Sequence, residues 1–395
     1  MKARIIGGIL LIVGTSIGAG MLALPVANAA TGFWQSSFFL LFCWAIMTFG
    51  ALFILEANLY LPKGKHMLSM ASETLGKSGI LIAWISYLFL LYTLLSAYIS
   101  GGADVFNSLG SKFGFSLKDW QASTLFTFVF GAIVYGGIYY VDLVNRGLMF
   151  GKLAIYLLLV IVIAPFINSI NLHAGDYRNI STTIMILITS FGYAIIIPNL
   201  RDYFDSDVKT LRKVILIGSL IPLLCYLAWN AVIIGSLGDN EGAKLAALMQ
   251  DPHTTSSLSN QLALRVNNQF ISSFFNLFTS ICMLTAFLGV SLCLISFFAD
   301  GLKKEQKGKE GLMLFLLTFL PPLLVVIYYP GAYIHALNYA GFFCVILLLA
   351  LPALMVLWGR KKFAANYKVP GGSVTPVLVL IISFLLILNM LWHAI

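Results

Sequence analysis

Apolar runs of membrane-crossing length recur along this chain from Arg4 almost to its last residue, separated only by short polar stretches. The hydrocarbon core of a bilayer demands roughly 20 apolar residues from each crossing helix, so few folds are open to a chain patterned in this way. Of the 395 residues, 60% are hydrophobic and 10% charged, too few polar side chains to wet a globular surface. The runs are continuously apolar rather than alternating, which favours helices over barrel strands. We expect spans near Arg4 to Ala30, Phe33 to Leu61, Ile80 to Ala103, Gln121 to Tyr140, Gly147 to Ile167, Ser181 to Leu200, Val214 to Ile234, Phe270 to Ala299, Leu312 to Tyr329, Tyr333 to Trp358 and Thr375 to Trp392. The expected fold class is therefore all-α integral membrane, with 11 transmembrane helices in one domain covering residues 1–395.

Lysine and arginine fix the expected orientation, because cytoplasmic loops retain positive charge. With the N-terminus inside, 19 of these residues fall on the cytoplasmic side, and only Lys112, Lys118, Arg178, Lys244 and Arg265 fall outside. The net charge of +9 is thus a topology signal for a cell inner membrane protein with a periplasmic C-terminus, and a nucleic-acid partner gains nothing from it. Lys2 and Arg4, the apolar stretch after them and Ala27-Asn28-Ala29 look like a signal peptide with its cleavage site. However, Gly14-Thr15-Ser16 and Gly18-Ala19-Gly20 interrupt its apolar core, and removal of the segment inverts the charge asymmetry, so the first helix is expected to be retained. Cys43, Cys225, Cys282, Cys293 and Cys344 all fall within spans and read as packing residues; no disulfide, metal site or cofactor is indicated.

Two spans share a Thr-Ser-x-Gly interruption followed by proline at nearly the same distance. The first is Thr15-Ser16-Ile17-Gly18 with Pro25, and the second is Thr189-Ser190-Phe191-Gly192 with Pro198. Five helices per half, each half opening on a discontinuous helix, is the pattern of an inverted-repeat carrier. The halves run about 4–167 and 181–358, with an extra helix at about 375–393. In lipid an unpaired N–H or C=O costs several kcal/mol, so a break is tolerable where a polar ligand meets the freed groups. The N–H groups of Gly18, Ala19 and Gly20 suit a carboxylate at a helix start, and carbonyls near Ser16, Ile17, Ser190 and Phe191 suit an ammonium. The competing reading is that these glycines merely let helices pack closely.

These residues also carry a resemblance. Gly14-Thr15-Ser16-Ile17-Gly18-Ala19-Gly20-Met21-Leu22-Ala23-Leu24-Pro25 is long and specific. Ala97-Tyr98-Ile99-Ser100-Gly101, Val141-Asp142-Leu143-Val144-Asn145-Arg146, Thr189-Ser190-Phe191-Gly192, Phe287-Leu288-Gly289-Val290 and Thr318-Phe319-Leu320-Pro321-Pro322 are shorter. Together they resemble the bacterial tyrosine and tryptophan permeases of the hydroxy and aromatic amino acid permease family, nearest its tyrosine-specific members. The resemblance implies a leucine-transporter-like fold of 5+5 repeated helices plus one, and proton-coupled uptake of an aromatic amino acid, tyrosine first, then tryptophan or phenylalanine. Two positions depart from the family pattern: Ala194 stands where members commonly carry histidine shortly after the Phe-Gly of the sixth helix, and Ser296 where an acid is found on the eighth.

Fold geometry implied by the resemblance nominates Tyr98, Phe191, Gly192, Tyr193, Phe287 and Asn338 as pocket residues beside Thr15 to Gly20 and Ser190, with aromatic faces stacking on an aromatic substrate. Glu56 and Lys152 are ionisable residues inside spans and so candidates for ion or proton coupling. Lys152 lies early in the expected fifth helix, where some proton-coupled relatives place an ammonium in the sodium position of sodium-coupled ones. The competing reading for both is snorkelling to the nearby cytoplasmic face. His173, His253 and His335 read as surface or interfacial residues, and Gly238 to Asn268 as the longest outer loop, a candidate lid.

Other classes fit less well. No stretch matches a phosphate-binding G-x-x-x-x-G-K-[ST] loop. A membrane enzyme would want convergent acids or paired histidines in the spans, and a channel a repeated polar filter or charged ring. The expected partners are a small amino acid, a proton and the bilayer, with no obligate protein partner; transport of another neutral amino acid, with sodium or no ion, is the alternative.

Overall fold

The computed structural model describes the chain except residues 1, 113, 115–116, 174, 238–244, 268, 365–366 and 395. Among the described residues every regular element is helical. Nine helices among the described residues are long and apolar enough to cross a membrane, or ten if a bent pair at the N-terminus is one span. The chain is a multi-pass membrane protein.

The bent pair is the first expected span: α1 (Lys2–Ser16) and α2 (Ala19–Asn28) meet at 53°. Next come α3 (Phe33–Leu59) and α4 (Met67–Lys112), the latter bent at Gly76 and longer at both ends than its expected span. The boundary between the fourth and fifth expected spans is displaced. It was expected between Tyr140 and Gly147, but α5 (Asp119–Tyr135) ends at Gly136 and α6 (Ile138–Ile163) starts just after Gly137. Gly137 has φ 97°, a conformation that a Cβ disfavours, so the glycine pair ends one helix and frees the chain to turn into the next. Lys152 therefore sits mid-helix rather than early in it. The 17 residues of α5 span about 26 Å at 1.5 Å each, slightly less than the hydrocarbon core.

The second interrupted span follows the short α7 (Ser169–His173). It consists of α8 (Ile180–Thr189), a 3-10 turn (Gly192–Ile196) and α9 (Ile197–Tyr203). Then come α10 (Val208–Leu237), α11 (Thr254–Val266), α12 (Gln269–Leu302) and α13 (Gly308–Tyr328). The chain ends with α14 (Ala332–Cys344), a π-turn (Val345–Ala350), α15 (Leu351–Lys362) and α16 (Val374–Ala394). The expected outer loop from Gly238 to Asn268 is thus largely ordered around α11; residues 238–244, Lys244 among them, and 268 lie outside the described residues.

Small and apolar faces bring these helices together around the two interruptions. α10 lies along α1 and α3, α14 lies along both α4 and α8, and α12 runs beside α4 and α6. The π-turn has a local cause. Pro352 has no N–H to offer the Leu348 carbonyl, and α3 presses Gly50 against that carbonyl so closely that a Cβ there would lie 2.3 Å from the oxygen.

The ends of α3, α9 and α15 are joined by a polar clasp on the side the charge pattern assigns to the cytoplasm. Glu56 is fully buried and receives Arg360 through two bonds, Nε at 2.6 Å and Nη2 at 2.8 Å. The Tyr60 hydroxyl and the Val369 N–H donate to the same carboxylate at 2.8 and 2.6 Å. Beside it, Arg201 donates to the Asn58 carbonyl and side chain, to the Leu61 carbonyl and to Ser206. Further out, Asp205 pairs with Lys63 at 3.0 Å and Arg4 at 3.3 Å.

Candidate functional site at the two helix breaks

Both interruptions are genuine losses of α-helical bonding. Ile17 N–H still reaches Val13, but Gly18 is extended (φ −144°, ψ −151°) and the helix restarts at Ala19. In the second span, Phe191 N–H bonds Ile188 in a tightened turn and the chain continues as 3-10 helix. Pro25 lies inside α2 and Pro198 in the first turn of α9, where its missing N–H is harmless. Thr15 and Thr189 both turn their hydroxyls back onto carbonyls four residues earlier, and Thr189 also donates to the Leu337 carbonyl of α14.

The breaks touch one another. A Cβ on Gly20 would lie 3.1 Å from the Ser190 hydroxyl oxygen and 3.4 Å from its Cα, so a side chain there would push the two segments apart by a few tenths of an ångström. Ser16, Ile17, Ser190 and Phe191 are all buried.

Three donors from surrounding helices converge on carbonyls at the breaks. From α10, the Tyr226 hydroxyl lies 2.6 Å from the Ser16 carbonyl oxygen and 2.8 Å from that of Ser190. From α14, the Tyr333 hydroxyl donates to the Ala19 carbonyl at 2.6 Å. From α6, Lys152 Nζ donates to the Ile17 carbonyl at 2.6 Å. Lys152 is 1% exposed, so it does not snorkel, and no carboxylate among the described residues lies within ion-pair distance of it. Cysteine 282 is its electrostatic neighbour on α12. The Ser16 hydroxyl is buried with no hydrogen-bond partner among the described residues.

The other nominated residues divide. Phe191 packs edge-on against the Tyr226 ring with centroids 5.3 Å apart, and Tyr98 on α4 is an electrostatic neighbour of the Tyr226 and Tyr333 phenols. Gly192 faces Cys344 of α14, and Asn338 lies one residue beyond the Leu337 carbonyl with its own Oδ1 buried and without a hydrogen-bond partner among the described residues. Tyr193 is fully buried, its hydroxyl 3.1 Å from Thr48 of α3. Phe287 stacks between Phe126 and Phe319 of the scaffold, while its neighbour Ala286 is the residue that approaches Gly18. Glu56 belongs to the clasp and makes no contact with the breaks. Ala194 is buried and Ser296 accepts from Gln306 at 3.4 Å.

Sequence reasoning missed Tyr226, Tyr333 and the outer residue Asp104. The hydroxyl of a tyrosine buried mid-span must find a partner, but with 17 tyrosines in the chain that rule alone selects none of them. Asp104, near the C-terminal end of α4, caps the first turn of α11: it accepts from Ser256 N–H at 2.9 Å, from the Ser256 hydroxyl at 2.7 Å and from Thr255. A carboxylate suits this helix N-terminus. His253 Nδ1 approaches the same carboxylate at 3.3 Å, and the hydrogen bond to Asp104 raises the imidazole from its usual 6.5 to about 9. A small recess beneath this contact is lined by Ser100, Asn107, Asp119, Ser123 and Gly331.

A helical membrane protein whose two broken helices meet, with carbonyls at the breaks served by donors from other helices, has the architecture of a carrier rather than an enzyme. The tryptophan/tyrosine permease family model matches residues 1–392, and the chain belongs to that family. It is 35% identical over 388 residues to tyrosine-specific transport system 1 of Haemophilus influenzae, a match that covers 97% of this chain and 95% of that protein. A tryptophan-specific transport protein of the same organism is 32% identical over 383 residues, covering 93% of this chain and 91% of its own length. Glutamine transporter 2 of Aliivibrio fischeri is 30% identical over 400 residues, 98% of this chain and all of that protein.

Proposed function

We propose that this chain is a secondary active transporter that imports an aromatic amino acid, tyrosine first, then tryptophan or phenylalanine, by proton symport across the inner membrane. Its architecture in this reading is a single domain of eleven spans: two inverted five-helix repeats, about 4–167 and 181–358, and a last helix at about 375–393. The N-terminus faces the cytoplasm and the C-terminus the periplasm.

The observation that carries the reading is the meeting of the two breaks, with Gly20 against Ser190 and the Ser16 and Ser190 carbonyls sharing one donor. The substrate carboxylate is assigned to the N–H groups of Gly18, Ala19 and Gly20 at the start of α2, where the dipole favours an anion. Its ammonium is assigned to the carbonyls of Ser16 and Ser190, and Thr15, Ile17 and Gly192 complete the unwound frame. Phe191 and Tyr98 are the aromatic walls nearest that point, with Asn338 a polar group on the α14 side; Tyr193 and Phe287 support them from behind. Alternating access follows from rocking of one bundle around this fixed place.

Coupling is assigned to Lys152. An ammonium on a neutral carbonyl, with no countercharge among the described residues, can change its charge state without breaking an ion pair. Its acceptor, Ile17, lies in the first break itself, so the proton and the mobile segment are one hydrogen bond apart. Glu56, buried with Arg360, is assigned to holding the inner ends of α3 and α15 together.

Uptake into proteoliposomes with an imposed inward proton gradient tests this, with labelled tyrosine and with tryptophan and phenylalanine as competitors. Gradient-driven accumulation of tyrosine is expected, and counterflow with no response to the gradient would make the chain a facilitator. Lys152→Ala is expected to abolish accumulation while leaving substrate binding detectable; full accumulation by that variant removes Lys152 from the mechanism. The relative named as a glutamine transporter supports a second reading, another neutral amino acid as substrate. Glutamine competing better than any aromatic amino acid would establish it.

A further inference from the structure

The Tyr226 hydroxyl stands where two carbonyls freed by the helix breaks face each other. One oxygen lies 2.6 Å from Ser16 O and 2.8 Å from Ser190 O, so the two acceptors are within roughly 5 Å of one another. A phenol has a single proton to donate. At any moment it satisfies one of these carbonyls and leaves the other with an oxygen lone pair facing it. An ammonium has three N–H groups and serves both at once. Tyr226 is fully buried and its ring is packed edge-on against Phe191. This place is thus closed, with one phenol proton facing two carbonyl oxygens.

We propose that the Tyr226 hydroxyl is an internal stand-in for the substrate's ammonium. In the empty carrier it occupies the place between the Ser16 and Ser190 carbonyls, and it must leave for an amino acid to bind there. The inference rests on the proposed assignment of the ammonium to those carbonyls. Its physical basis is the cost of bare peptide carbonyls away from water: a carrier that returns empty needs something to cover them, and a tethered hydroxyl does so without competing as a free ligand would. It also makes the site selective. A ligand without an ammonium has nothing with which to replace the hydroxyl, so it gains nothing from its displacement. Tyr226 is then a specificity-determining residue from α10, outside the broken helices themselves.

Equilibrium binding to the full chain in lipid nanodiscs tests this, comparing the wild type with Tyr226→Phe, which keeps the ring and removes the donor. The ligands are L-tyrosine, L-tryptophan, L-phenylalanine and 3-phenylpropionate, which is phenylalanine without its amino group. Tyr226→Phe is expected to bind the amino acids on the order of fivefold more tightly, the worth of one buried hydrogen bond no longer displaced, and 3-phenylpropionate no more tightly than the wild type does. The ligand-free variant is expected to melt at a lower temperature than the wild type and to gain more on adding amino acid. Unchanged or weaker amino acid binding by Tyr226→Phe overturns the inference, as does equal tightening for 3-phenylpropionate, which would mark the hydroxyl as a steric obstacle only. If Tyr226→Phe does not accumulate as folded protein, Tyr226→Met, also without a donor, takes its place under the same criteria. Wild type that binds glutamine instead of an aromatic amino acid overturns the aromatic reading alone, and the comparison is then made with glutamine and its desamino analogue. Wild type that binds no amino acid overturns both.

Discussion

Lys152 and Glu56 are both ionisable, both buried and both embedded among apolar helices, yet their surroundings are opposite. Glu56 accepts four bonds, two from Arg360 and one each from Tyr60 and the Val369 N–H, so its charge is matched and each oxygen is occupied. Lys152 donates to one peptide carbonyl, and that carbonyl belongs to a break in the first span. A paired buried charge holds elements in place, because removing either partner strands the other. An unpaired one has a charge that can be switched. Burial alone does not distinguish the two residues; the identity of their partners separates the clasped carboxylate from the proposed coupling group.

The comparison can be broken in four ways, in order of expected effect on stability. Glu56→Ala leaves Arg360 without its counter-charge and the Val369 N–H without its acceptor, and is expected to cost about 3–5 kcal/mol in denaturant unfolding; what folds is expected to respond to a proton gradient. A stable Glu56→Ala protein with no gradient response would reverse the two assignments. Arg201→Lys keeps the charge of the neighbouring cluster but loses the fork that reaches Asn58, Leu61 and Ser206 together, a loss of about 1–3 kcal/mol by the same measurement. Lys152→Met removes a buried charge along with one hydrogen bond, so its stability is expected to stay within about 1 kcal/mol of the wild type while concentrative uptake disappears. A loss as large as that of Glu56→Ala would make Lys152 another structural group.

The fourth test uses the outer pair. His253 is raised to about 9 by Asp104, so the contribution of the protonated pair is full below pH 6.5 and fades as pH rises through about 9. The imidazole is 48% exposed, and solvent screening reduces the contribution to a few tenths of a kcal/mol. Amide exchange in α11 is expected to quicken modestly between pH 6.5 and 9.5, beyond the intrinsic rise, and His253→Ala is expected to remove that extra step. Equal behaviour of the two proteins would show that the remaining bonds to Asp104 hold α11 unaided.

Much of this architecture was legible in the chain because lipid enforces it. Long apolar runs declare their helices, and the Thr-Ser-x-Gly pairs mark the two places where a helix stops. The break positions, Ser16 to Ala19 and Ser190 to Gly192, were readable for that reason. The α5 to α6 boundary was not, since Gly136-Gly137 lies within an apolar stretch and the residues after it, including Tyr139 and Tyr140, fit a continuing span equally well. The segment from Gly238 to Asn268 read as loop because α11 is only modestly apolar, and its order depends on Asp104, more than a hundred residues earlier. Side-chain direction was the least legible feature. Tyr193 and Phe287 occupy helices expected at the proposed site but meet Thr48 of α3 and the Phe126 and Phe319 rings, whereas Tyr226 reaches the breaks from a helix outside those expected.

The π-turn between Val345 and Ala350 winds its backbone more loosely than the helix on either side. One residue more or less in an α-helix turns everything beyond it by about 100°, so this loop sets the compass bearing of α15 and hence of Arg360. Deleting a single apolar residue there, a change invisible to any hydropathy profile, would swing the guanidinium off Glu56 and leave the carboxylate without its cation. Length, as much as chemistry, is therefore part of what this stretch specifies.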